Sequence, residues 1–128
     1  MAHVLLTGAT GYIASHTWLA LAAAGYQVVG IDNFSNSSPK VLEVLNGLLG
    51  HAPVFVEADC CDEAAVADVI RQHKVEACVH FAASKAVGES TTQPLAYYRD
   101  NLGGLIAVCA ALQAGGASRI VFSSSATV

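Results

Sequence analysis

Basic residues are few in this 128-residue sequence, and the first of them, Lys40, comes late. Six Lys and Arg against ten Asp and Glu leave a formal charge of −4. Scattered from Lys40 to Arg119, the cations form no field for a phosphodiester backbone, which argues against nucleic acid as a partner. The start Met1-Ala2-His3-Val4 lacks the positive segment that opens a secretory signal, so the expected location is cytoplasmic. Low-complexity and linker-like stretches are missing too, which leaves one domain. No two of the four cysteines are spaced as CxxC, and none has a His at ligand spacing. Buried free thiols and no metal are therefore expected at Cys60, Cys61, Cys78 and Cys109. His80, closing an apolar run, reads as a core or edge residue rather than a general base.

Charged residues make up only 12% of the chain and hydrophobic ones 54%, enough for a large core. The stretch from Gly11 to Ile31 holds no Asp, Glu, Lys or Arg and has the length of a membrane span. Gly25-Tyr26-Gln27 divides it into a helical half and a β-rich half, and Ser15, His16 and Thr17 give the first half a polar side, so a span is rejected.

Short β-branched runs alternate with helix-length stretches. The runs are Val4–Thr7, Val28–Ile31, Val54–Glu57, Ala77–His80 and Ile120–Ser123, all of a composition expected for strands buried on both faces. The helices are predicted over Tyr12–Ala24, Lys40–Leu49, Glu63–His73 and within Pro94–Ala114. Gly25 stops the first, Asp62 caps the third, Pro94 opens the fourth and Gly115-Gly116 closes it. Right-handed crossovers then require a Rossmann-type, doubly wound parallel sheet of strand order 3-2-1-4-5. The chain stops three residues after Ser125, where a fifth strand should deliver side chains to a ligand. A fragment is expected: residues 1–128 as the N-terminal part of a dinucleotide-binding domain.

Between the first strand and first helix lies Gly8-x-x-Gly11-x-x-Ala14. Gly8 suits the tight turn, Gly11 lets the backbone approach a pyrophosphate at the helix N-terminus, and Ala14 sits where helix and strand pack closely. Any tight strand-to-helix turn can use such glycines. Asp32, about 20 residues on at the end of the second strand, adds a carboxylate able to accept from a ribose 2′-hydroxyl. It would repel a 2′-phosphate, and no cation follows before Lys40, so NAD is favoured over NADP. Asp59 reads equally as a carboxylate near adenine or as a helix N-cap ahead of Glu63.

In these residues the sequence resembles the extended short-chain dehydrogenase/reductases, and within them the UDP-glucose (UDP-galactose) 4-epimerases. The resemblance covers essentially the whole chain. It rests on residues 7–17, on 32–37, on 80–90 with Lys85-Ala86-Val87-Gly88-Glu89-Ser90, on 94–98, and on 122–128 with Ser123-Ser124-Ser125-Ala126-Thr127-Val128. The lysine and triple-serine segments are the more specific.

The resemblance implies NAD-dependent 4-epimerisation of UDP-hexoses through a 4-keto intermediate. It places Gly8, Gly11, Tyr12 and Ile13 on the pyrophosphate. Asp32 and Asn33 fall on the adenosine ribose, with Phe34, Ser35, Asn36 and Ser37 beside them. It also settles Asp59 in favour of the cofactor, flanking adenine with Cys60. Phe81, Ala82, Ala83, Ser84 and Lys85 run beside the nicotinamide half, and Asn101 fixes that loop. Ser125 lines the cofactor and is the catalytic serine that hydrogen-bonds the sugar 4-oxygen. The partners implied are a UDP-sugar and, for the full-length protein, a second copy in a homodimer.

The family's Tyr-x-x-x-Lys pair, which takes the 4-hydroxyl proton, is absent from these residues, and Ala83 stands where glycine is frequent. The 128 residues alone are accordingly expected to be inactive, marginally stable and self-associating. A sibling nucleotide-sugar dehydratase or epimerase, or a non-catalytic NAD-binding module, would share the glycine turn.

Overall fold

In β1 (His3–Thr7), Leu5 and Leu6 are both fully buried, on opposite faces of the sheet. Adjacent strand residues point to opposite sides, so a strand apolar at consecutive positions must be covered twice. The computed structural model describes residues 3–34, 38–81, 94–117 and 119–122. After β1 come α1 (Tyr12–Ala23), β2 (Gln27–Asp32), α2 (Lys40–Leu49), β3 (Val54–Glu57), α3 (Glu63–His73), β4 (Ala77–His80), α4 (Pro94–Ala114) and β5 (Arg119–Phe122). The sheet has five strands, all parallel, in the order β3-β2-β1-β4-β5 expected from the sequence.

Leu5 packs with Val29, Ile31 and Cys78 under α3 and α4, through Val66, Ile70, Val108 and Leu112. Leu6 and Val28 face α1 and α2, through Ala14, Trp18 and Leu45. Trp18 reaches this layer because Gly30, opposite Leu6 in register, has no side chain. A Cβ on Gly30 would come within 2.7 Å of the Ala9 Cβ and closer still to the Trp18 ring.

The punctuation falls where expected. The residue after Ala24, Gly25, has φ +95°, Asp62 caps α3 by accepting from the Ala65 N–H at 3.2 Å, and α4 runs from Pro94 to just before Gly115.

Two expectations need correction. The five strands are not all buried on both faces: β3 is only partly covered and every residue of β5 is exposed, Val121 to 63%. They are the two edges of the sheet, and the four described helices concentrate on the central strands. The cysteines are all free, as expected, but only Cys60 and Cys78 are buried; Cys61 and Cys109 are exposed. Cys61 follows its buried neighbour in a turn, and Cys109 lies on the outer side of α4, so neither reaches the core. Among the described residues no helix is long and apolar enough to cross a membrane.

Candidate functional site

Strand order reverses between β1 and β4, because the chain winds outward from β1 in one direction through β2 and β3 and in the other through β4 and β5. In a doubly wound sheet the carboxyl edge beside such a reversal is the usual ligand position. Of the predicted site residues that the structure describes, nearly all lie at this edge.

The turn after β1 is built tightly. Gly8 has φ +63°, a conformation a Cβ would strain, and the Gly11 N–H closes the turn on the Gly8 carbonyl at 3.0 Å. A Cβ on Gly11 would lie 3.2 Å from that carbonyl oxygen, so the position keeps clear backbone where α1 begins. Gly11 is the N-cap of α1, with no side chain capping the helix and no acidic residue in its first turn. The amide end of the helix therefore keeps its positive character. Tyr12 and Ile13, first in the helix, are exposed to 82% and 60%.

Asp32 ends β2 beside this turn. Its Oδ2 accepts from the Thr10 hydroxyl at 2.6 Å and the Thr10 N–H at 3.1 Å, and its Oδ1 accepts from the Phe34 N–H at 3.0 Å. Phe34 makes its bond from a left-handed conformation, φ +59°, with its ring 5.3 Å from that of Phe55 on β3. Asn33 between them is exposed. Sequence reasoning assigned Thr10 no role; the signal was a hydroxyl between the two glycines, whose partner 22 residues away appears only once the turn folds against β2.

The loop after β3 is tied to the same edge by the Ala58 N–H donating to the Asp32 carbonyl at 3.1 Å. Asp59 is not the helix cap. Its Oδ1 accepts from the Cys61 N–H at 2.9 Å in a turn of its own, and Asp62 caps α3 instead. Cys60 is buried in the α3–α4 layer, and burial first, then the neighbouring Cys61 and Asp59, push its thiol up to about 12. The ligand-type atoms of Asp59, Cys60 and Cys61 lie within 4.8 Å of one another.

On the other side of β1, Phe81 donates its N–H to the Thr7 hydroxyl at 3.0 Å, fixing where the chain leaves β4. Ala82, Ala83, Ser84 and Lys85 follow, but they lie outside the described residues, as do Ser35, Asn36, Ser37 and Ser125. Asn101 lies within α4. The structure thus gathers Gly8, Gly11, Tyr12, Ile13, Asp32, Asn33, Phe34, Asp59 and Phe81 at one edge of the sheet, while the Cys60 side chain turns into the core.

Comparison with known proteins gives this edge a family. The family model described as the NAD dependent epimerase/dehydratase family matches residues 4–128. The UDP-glucose 4-epimerase of Bacillus subtilis is 47% identical over 125 residues, which cover 98% of this chain and 37% of that protein. A Klebsiella pneumoniae UDP-glucose 4-epimerase sequence is 44% identical over 125 residues, covering 98% of this chain and 90% of that sequence. Among solved structures, UDP-glucose 4-epimerase from Stenotrophomonas maltophila, with bound NAD and formylated UDP-arabinopyranose, superposes with a TM-score of 0.96 at 44% identity, covering 100% of this chain and 38% of that one. The Bifidobacterium longum enzyme in complex with NAD+ and UDP gives 0.94 at 38% identity, covering 99% of this chain and 38% of that one. The chain thus spans little more than a third of the length of most of these relatives.

Proposed function

This chain belongs to the NAD dependent epimerase/dehydratase family, and from that premise we propose that it forms the NAD-binding part of a UDP-hexose 4-epimerase acting on UDP-galactose and UDP-glucose. The observation that carries the reading is the Gly8–Gly11 turn hydrogen-bonded to the Asp32 carboxylate at the carboxyl edge of the sheet. A dinucleotide fits these residues. The turn leaves backbone clear where a side chain would crowd the Gly8 carbonyl, the uncapped start of α1 suits a pyrophosphate, and Asp32 suits a ribose hydroxyl.

NAD, when bound, supplies the hydride acceptor and donor at the sugar C4. The residues of this chain bind, orient and manage protons. Gly8, Gly11, Tyr12 and Ile13 present backbone to the pyrophosphate. Asp32 and Asn33 hold the adenosine ribose, with residues 34–37 beside them and Asp59 near adenine. Phe81 to Lys85 and Asn101 flank the nicotinamide half. Ser125 hydrogen-bonds the sugar 4-oxygen and eases its proton transfer as the 4-keto sugar forms and is reduced again. The 128 residues contain no Tyr-x-x-x-Lys pair, so the proposal assigns them cofactor binding and the serine, and no turnover on their own. For the whole protein it carries a cytoplasmic homodimer.

Titration calorimetry with NAD and NADP tests the cofactor assignment: NAD binds more tightly, and Asp32→Asn narrows the gap. Equal affinity for the two cofactors, or none for either, would sink it. Interconversion of UDP-galactose and UDP-glucose by these residues alone would contradict the division of labour.

A further inference from the structure

We propose that Thr10 is a positioning residue which sets the selectivity of this site for a dinucleotide with a free ribose 2′-hydroxyl, by locking the Asp32 carboxylate in one orientation. The proposal rests on the NAD reading above and extends it to a residue outside the glycine and carboxylate pattern.

Thr10 is 2% exposed, and a buried hydroxyl requires a partner. It donates to Asp32 Oδ2 at 2.6 Å, and the backbone N–H of the same residue donates to the same oxygen at 3.1 Å. With Phe34 N–H on Oδ1, three donors grip the carboxylate from two sides. An ionised carboxylate offers about four acceptor directions. Among the described residues the grip fills three of them and leaves one, on Oδ1, for a ligand.

That remaining direction accepts a single hydroxyl. A 2′-phosphate at neutral pH has only acceptors to offer and brings negative charge. Thr10 gives it no relief, because its hydroxyl proton is already committed to Oδ2. A role as a simple strap between turn and strand is already filled: the Ala9 N–H donates to the Ile31 carbonyl at 3.1 Å and ties the turn to β2 through backbone alone. The bond from the hydroxyl to Oδ2 therefore orients the carboxylate rather than merely holding the turn.

Thr10→Val keeps the shape and the backbone N–H and removes the hydroxyl; Thr10→Ser keeps the hydroxyl. Dissociation constants for NAD, for its 2′-deoxyadenosine analogue and for NADP are measured by calorimetry on each, with circular dichroism to confirm folding. For Thr10→Val, NAD binding weakens about tenfold, the 2′-deoxy analogue changes less than about twofold, and the preference for NAD over NADP shrinks; Thr10→Ser restores all three. Thr10→Ala replaces Thr10→Val if the latter fails to fold. Equal weakening for NAD and the 2′-deoxy analogue makes Thr10 a strap only and overturns the proposal, as does an unchanged NAD affinity. Both outcomes leave the NAD reading standing. An unmodified protein that binds no NAD overturns that reading and this inference with it.

Discussion

Thr7 and His80 stand 73 residues apart in sequence, and their side chains share a buried hydrogen bond of 2.7 Å between Oγ1 and Nδ1. They are partners in the parallel register of β1 and β4, the two strands that flank the point where strand order reverses. The same hydroxyl accepts from the Phe81 N–H, so one threonine holds both the last residue of β4 and the first beyond it. The histidine ring also stacks on Phe122 of β5, with centroids 5.8 Å apart. His80 is thus the core residue its place in an apolar run suggested.

Thr7→Val is expected to lower stability by about 1–3 kcal/mol, because it removes the hydroxyl from the buried His80 ring and the partly buried Phe81 N–H while preserving volume. Thr7→Ser, which keeps the hydroxyl, should lose less. Urea unfolding of both variants checks the order; a valine variant as stable as the parent would contradict it.

Gly30→Ala should be among the most damaging single-methyl changes in the protein. The new Cβ would enter the Trp18 ring, itself buried between α1 and the sheet, and overpacking of this kind costs about 1–3 kcal/mol or more. The expected readouts are a lowered urea midpoint and altered tryptophan fluorescence, since Trp18 is the only tryptophan in the chain.

Burial pushes the thiols of Cys60 and Cys78 up from 9.0 to about 12. Between those values the unfolded chain gives up protons that the folded chain keeps, so these groups contribute stability below pH 9 that is lost as pH rises toward 12. Cys78→Ala should flatten the decline in urea midpoint between about pH 8 and about pH 10.5 relative to the parent. At neutral pH, iodoacetamide should modify the exposed Cys61 and Cys109 well before the buried pair, as peptide mass mapping would show.

Asp62→Ala removes the carboxylate that accepts from the Ala65 N–H at the start of α3. The expected loss is about 1 kcal/mol, with Asp62→Asn and Asp62→Ser close to the parent. Asp59→Ala should not reproduce that loss of helix capping, because Asp59 closes a separate turn on Cys61. Thermal unfolding of the set separates the two aspartates.

Much of the fold was legible locally. Runs such as Val28–Ile31 and Ala77–His80 announce strands by their composition, Gly25, Asp62 and Pro94 mark helix ends by backbone chemistry, and the crossover rule turns the alternation into strand order 3-2-1-4-5. The Gly8–Gly11 turn and Asp32 were equally readable, because a glycine spacing within one turn and a carboxylate at a strand end are local facts. Asp59 was ambiguous for the same reason: two acids three residues apart both precede α3, and only hydrogen-bond geometry tells cap from turn.

What local pattern could not decide is which side chains meet. The Thr10–Asp32 grip spans 22 positions and the Thr7–His80 pair 73, and each exists only because parallel strands align at a particular register. Coverage is a tertiary property as well: β1 and β5 have similar compositions, yet one is buried between helices and the other is exposed at the sheet edge. Sequence periodicity determined the elements, their order and the glycine-and-carboxylate edge. Register and helix coverage, which depend on the whole sheet at once, decided how that carboxylate is held, which thiols are shielded and why β2 needs a glycine beneath a tryptophan.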